Sequence, residues 1–130
     1  MNEHQFELLQ QYLTLHYCEG AEFHHGDCIG ADAAAHDLAL EYDYQVIIHP
    51  PTKADLRAWC SGEGVWFRTP RNYISRNRKI VDETDILFAT PYQKEEQPRG
   101  GTWSTIRYAK SKGKRVLIIF PDGTVDHING

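Results

Sequence analysis

Apolar positions along the chain fall into blocks whose spacing alternates between helical and extended. Between about Asn2 and Tyr17, Phe6, Leu9 and Leu13 form one helical stripe that Leu8, Tyr12 and Leu15 widen, which predicts an amphipathic helix. Ala21–His25, bounded by Gly20 and Gly26, predicts a short strand running into a glycine-containing loop. Asp32 is placed to cap a second helix, in which Ala35, Leu38, Ala39 and Tyr42 recur at spacings of three and four. Gln45–His49 is rich in β-branched residues and is stopped by Pro50-Pro51, as a buried strand is. Thr52–Pro70 keeps no period and reads as a long loop with at most one helical turn. Tyr73, Ile74, Ile80 and Val81 predict a helix over Arg71–Thr84, followed by a strand at Asp85–Thr90 and a charged loop over Pro91–Gly100. A last helix opens near Gly101 with Trp103, Ile106 and Ala109 and ends at Gly113. Arg115–Phe120 is the fourth predicted strand, and the residues after the Pro121-Asp122-Gly123 turn are expected to fray.

Strands separated by helices predict an α/β fold, because parallel neighbours need crossover connections. The expected architecture is a three-layer domain over residues 1–130, with a mostly parallel sheet of about four strands. At 130 residues one domain is the natural reading. Ligands on such sheets sit beyond the C-terminal strand ends, which selects Gly26–Asp32, His49–Pro51, Pro91–Gly101 and Pro121–Gly123.

Composition narrows the function classes. An apolar share of 41% and a charged share of 25% are those of an ordinary folded protein. A net charge of -4 argues against nucleic acid as the main partner, since affinity for phosphates comes from clustered Lys and Arg. Three cysteines, Cys18, Cys28 and Cys60, without a CxxC pair, point to a reducing cytoplasmic compartment. No apolar run approaches the roughly 20 residues that span a bilayer, and no membrane contact is expected.

Three segments carry candidate chemistry. In the first, His25, Gly26, Gly30 and Asp32 stand at a strand-loop-helix junction where backbone N–H groups and a helix dipole can hold an anion. The glycines could equally shape a tight turn. Asp27 and Asp32 are the acid/base candidates, and each could instead accept loop N–H groups. The second is Arg76-Asn77-Arg78, in which the arginines could bind phosphate or carboxylate and Asn77 could read a sugar or base. The alternative is two solvated arginines beside one satisfied asparagine. The third is Gly100-Gly101-Thr102-Trp103-Ser104, a phosphate cradle in its parts or a plain glycine turn. It lacks the GxxxxGK[ST] pattern of a P-loop. His24, His25, Asp27, Cys28, Asp32 and His36 crowd one region, but their spacing matches no common zinc pattern, so neither a metal nor a cofactor is expected. Ser104 has no GxSxG setting, and Cys28 has no partner that sequence places beside it. Trp59, Trp66 and Phe67 could form a lid over a base or pack within their own loop.

Taken together, the segments from Phe23 to Gly123 resemble the SLOG superfamily, the Rossmann-like group that joins the DNA-processing protein A (Smf) family and the Lonely Guy phosphoribohydrolases. His25–His36 is similar to the SG-x-A-x-GID-x-x-AH loop of the former. Arg76-Asn77-Arg78-Lys79-Ile80 resembles its RNR-I helix, and Gly100–Thr105 followed by Ala109 resembles the glycine-serine and GGxGT loops. The pattern is most similar to small stand-alone bacterial proteins with GDCxGAD, RN-x-x-IVDETD and GTW-x-T segments. The resemblance implies a nucleotide or nucleotide-derived phosphate ligand held by Gly26–Gly30 and Gly100–Ser104, neutralised by Arg76 and Arg78. It also implies Asp27 or Asp32 on ribose or as acid/base at an N-glycosidic bond. The glutamate that follows the phosphoribohydrolase loop is replaced here by the run Trp103-Ser104-Thr105-Ile106-Arg107, which speaks against cytokinin-type hydrolysis. A non-enzymatic module for single-stranded DNA is the alternative that the Smf likeness implies, and a metal-dependent hydrolase at His25, Asp27 and His36 is a third.

The resemblance further implies an apolar first strand ending in a G-[ST]-R turn ahead of the Asn2–Tyr17 helix. Met1 stands where that strand would already have ended, so the expectation is a start assigned too late or a shortened form. A sheet without it must close up, recruit a strand from a second copy in a homo-oligomer, or expose an edge.

Overall fold

The computed structural model describes residues Met1–Gly130. It is an α/β structure with four helices: α1 (Glu3–His16), α2 (Ala31–Glu41), α3 (Tyr73–Asp82) and α4 (Gly101–Ser111). The strands are β1 (Glu22–His25), β2 (Gln45–Ile48), β3 (Trp66–Phe67), β4 (Ile86–Ala89), β5 (Arg115–Ile119) and β6 (Val125–Ile128). No helix is long and apolar enough to cross a membrane.

All four predicted helices and all four predicted strands form, within a residue or two of their expected limits. The single sheet does not. There are two three-stranded sheets: β1-β2-β3, wholly parallel, and β4-β5-β6, in which β4 and β5 are parallel and β6 antiparallel. β3 is a two-residue strand inside the expected loop. It exists because backbone pairing with Ile47 and Ile48, extended by Arg68 N–H to Ile48 C=O (2.8 Å), needs no side-chain pattern. The expected frayed end instead returns as β6. Asp122 organises that hairpin by accepting from the Thr124 N–H (2.9 Å) and hydroxyl (2.6 Å).

Two cores result, and β5 divides them by its alternation. Leu117 and Ile119 join Leu9 and Leu13 of α1, Ala35, Leu38 and Ala39 of α2, and Val46 and Ile48 of β2. Val116 and Ile118 face the other way, onto Val81 of α3 and Trp103, Ile106 and Ala109 of α4. Helix α1 is fixed at its start by a capping box between Asn2 and Gln5. The buried Gln5 amide also donates to Pro91 C=O (2.8 Å) and Ile119 C=O (2.9 Å), which ties the start of α1 to the C-terminal ends of β4 and β5.

No ladder joins β1 to β4. Between them lies a cavity of about 950 Å³, lined by both strands, by Leu9 and Leu13 of α1 and by Asn77 and Ile80 of α3. Ala21 C=O and His25 C=O point toward β2, where they accept from Gln45 and His49 N–H. By alternation, the backbone groups of Glu22 and His24 point into the cavity. Hydrogen exchange read residue by residue should therefore show the Glu22 and His24 amides exchanging roughly a hundredfold faster than those of Phe23 and His25. Equal protection across Glu22–His25 would mean that the gap closes in solution.

Candidate functional site

Just beyond β1, side chains replace the missing neighbour. Gly26 continues the alternation of Glu22 and His24. Its N–H donates to Asp32 Oδ2 (3.1 Å) and its carbonyl accepts from Arg76 Nη1. The same carboxylate oxygen takes the Cys28 N–H (3.0 Å), so Asp32 folds the loop back onto the first turn of α2 rather than capping the helix. Arg76, only 4% exposed, also donates to His49 C=O (3.2 Å) and from Nε to Asn77 Oδ1 (2.7 Å). It therefore clamps the loops after β1 and β2 together. A Cβ at Gly26 would sit 2.5 Å from Arg76 Nη1, so the glycine is needed for this close approach.

Asp27 is turned away from the cavity. With φ at 60°, its fully buried carboxylate pairs with Arg57 Nε (2.9 Å) and accepts the Cys60 N–H (2.8 Å). Burial alone would raise the Asp27 pKa, but the hydrogen bonds from Arg57 and Cys60 bring it below its ordinary value. Asp27 is thus the anchor of the loop from Ala54 to Ser61, and among the two aspartates expected to act as acid/base only Asp32 lines the cavity. Arg57 in turn lies over Trp59, 3.8 Å from the ring centroid. Trp59, Trp66 and Phe67 do not line the cavity, so the aromatic lid does not form over it.

Helix α3 separates its three polar residues. Arg76 and Asn77 face the cavity, whereas Arg78 is on the opposite surface, over the Tyr108 ring at 5.0 Å. Sequence reasoning grouped Arg76 with Arg78; two positions apart on a helix is a turn of about 200° and divides them.

The third segment forms the start of α4. Gly101 and Thr102 line the cavity; Gly100 and Ser104 are exposed outside it, as is Gly30 at the start of α2. Asn77 Nδ2 lies 3.6 Å from the point where a Gly101 Cβ would stand. The helix starts differ in one respect. α1 and α3 are capped by the side chains of Asn2 and Asn72, while α2 and α4 begin at Gly30 and Gly100 with no side-chain cap. Ala31 and Asp32 at the uncapped start of α2 and Gly101 and Thr102 at the uncapped start of α4 border the cavity, as does Tyr73 at the capped start of α3.

Tyr92, 78% exposed at the cavity rim, and Tyr73, which the sequence marks only as an apolar helix position, are cavity residues that no motif points to. The adjacent His24 and His25 point to opposite faces of β1, and each meets another histidine. His24 Nδ1 lies 2.8 Å from His49 Nε2, and His25 Nε2 lies 2.9 Å from His36 Nδ1. Burial, the largest influence on each, lowers His25 and His49 to about 4. His25 thus belongs to the packing beneath the loop. No family model, curated protein or solved structure matches the chain.

Two outcomes follow. Asp27→Asn should lower stability by about 2–4 kcal/mol in urea unfolding, by leaving Arg57 without its partner, and should expose the Ala54–Ser61 loop to proteolysis. Histidines whose folded pKa lies below the unfolded value of 6.5 contribute stability that is complete above that pH. It is lost as pH falls to about 4, because the unfolded chain takes up protons first. Urea midpoints measured in chelator should decline across this window, and replacing His25 with Gln should flatten the decline.

Proposed function

We propose that the chain binds a nucleotide or nucleotide-derived phosphate ligand at the mouth of the cavity, on a Rossmann-like scaffold of SLOG type. The observation that carries this reading is the capping asymmetry. Of the helix starts that border the cavity, those of α2 and α4 leave their N-terminal N–H groups without side-chain acceptors, while that of α3 is capped by Asn72, and uncapped N–H groups favour an anion. At the start of α4, Gly101 lines the cavity and leaves room for a phosphate oxygen beside the backbone. Asn77 Nδ2 adds a neutral donor at the start of α4.

The other parts of the mouth suit the rest of such a ligand. Asp32 uses one carboxylate oxygen on loop N–H groups, and its Oδ1 remains available to a sugar hydroxyl. Tyr92 offers an aromatic face to a base at the rim. Arg76 contributes by holding Gly26 in place and by its positive potential rather than as a free phosphate ligand. Any acid/base role at an N-glycosidic bond falls to Asp32, the one carboxylate among the expected site residues at the mouth.

A thermal-shift series with nucleotides and sugar phosphates tests the reading. A ligand bound only by the folded state raises the melting temperature as its concentration passes Kd. Gly101→Asp should abolish the shift by placing a negative charge where the phosphate sits, while an acidic residue in the first turn keeps α4 stable. Asn77→Ala should weaken it about tenfold in apparent Kd. Arg78→Ala should leave it unchanged. A shift that survives Gly101→Asp, or no shift with any of these compounds, would overturn the proposal.

A further inference from the structure

Two clusters bring three metal-ligand side chains within 4.8 Å of one another: His25, His36 and Cys60, and His24, His49 and Glu83. Their hydrogen bonds distinguish them. In the first, the Asp27 N–H donates to His25 Nδ1 (3.0 Å), so the His25 proton is on Nε2 and donates to His36 Nδ1. His36 Nε2 then donates to Ser61 C=O (2.8 Å). Every ring nitrogen is used, in one direction, and a metal on His25 Nε2 would drive its proton to Nδ1, donor against donor with Asp27. That cluster is closed.

The second is arranged the opposite way. His24 Nε2 donates to Glu22 Oε1 (2.9 Å), which leaves the Nδ1 lone pair pointing at His49 Nε2. A carboxylate behind a histidine in this manner fixes the tautomer and raises the basicity of the free nitrogen, as at metal centres. His49 Nδ1 makes no hydrogen bond within the protein and is not sealed from solvent, so the ring can carry its proton there, toward water, and free Nε2. Glu83 is oriented by Arg68 Nε at 2.9 Å. The His24 side chain is 1% exposed and that of Glu83 26%. Glu22, His24 and Glu83 all border the cavity.

We propose that His24 Nδ1, His49 Nε2 and the Glu83 carboxylate bind one divalent transition-metal ion of the zinc class, with a fourth position open to the cavity. Two histidines and a carboxylate are a nitrogen-oxygen set suited to such an ion, and three protein ligands leave room for water or an anion. Two nitrogens on tetrahedral zinc stand about 3.3 Å apart, so the rings need separate by only about half an ångström. On binding, the His49 proton moves from Nε2 to Nδ1 and both imidazoles stay neutral. The site is independent of the nucleotide reading, because none of its ligands belongs to the helix starts at the mouth.

The test is titration of chelator-treated protein with Zn²⁺ by calorimetry and with Co²⁺ by visible absorption. The expected result is one ion per chain, with the Co²⁺ bands of a nitrogen-oxygen site and no thiolate charge-transfer band. His49→Ala and Glu83→Gln should each weaken binding at least about tenfold, and Glu22→Gln about tenfold through His24. His36→Ala and Cys60→Ser should bind as the parent does. Glu83→Gln, at a partly exposed side chain, keeps the test valid if His49→Ala does not fold. The proposal is overturned if the parent takes up no stoichiometric ion, if Glu83→Gln binds as tightly as the parent, or if binding is lost in His36→Ala or Cys60→Ser.

Discussion

Backbone N–H and C=O groups that point away from a strand's only neighbour must be bonded by something other than a ladder, and in this chain that requirement falls on β1. One edge of β1 is paired with β2, and the other faces β4 across open space. At Gly26 the problem is solved by side chains, with Asp32 taking the N–H and Arg76 the carbonyl. That solution draws the first turn of α2 and the middle of α3 to the same point. The loop after β1, the clamp on His49 and the shape of the mouth all depend on it, so the buried guanidinium is as much a part of the fold as the apolar cores.

The same strand sets the electrostatics. Because successive residues of a strand face opposite ways, two adjacent histidines are delivered to two different environments. One pair is sealed into a one-directional chain of hydrogen bonds ending at a backbone carbonyl; in the other, His24 turns its Nδ1 lone pair to His49 and donates from Nε2 to the Glu22 carboxylate. Burial keeps His25 and His49 neutral at ordinary pH, which suits packing in the first case and the proposed metal ligation in the second. Identical residue types, one position apart, therefore take different roles for a purely geometric reason.

Charge at the mouth is arranged by omission. Asparagines cap the starts of α1 and α3. At α2 and α4 the starts fall at Gly30 and Gly100 without a side-chain cap, and in α2 the Asp32 carboxylate stands in the first turn. With a net charge of -4, the proposed recognition of a small anion would rest on directed N–H groups rather than on an excess of basic side chains.

Periodicity alone determined the four helices, the four main strands and the loops at their ends, because burial of one face imposes a spacing that local sequence must obey. It also placed Gly26, Asp32, Gly101 and Thr102 at the mouth, since strand-end loops of an α/β fold converge. Only the tertiary structure divided the sheet in two and recruited β3 and β6, whose pairing rests on backbone bonds to residues distant in sequence. It also decided that Arg76 clamps two loops while Arg78 faces solvent, that Asp27 anchors the Ala54–Ser61 loop, and that Glu83 meets His24 and His49. Those outcomes depend on which groups are left unpaired once the elements pack, and unpaired groups are a property of the assembled structure.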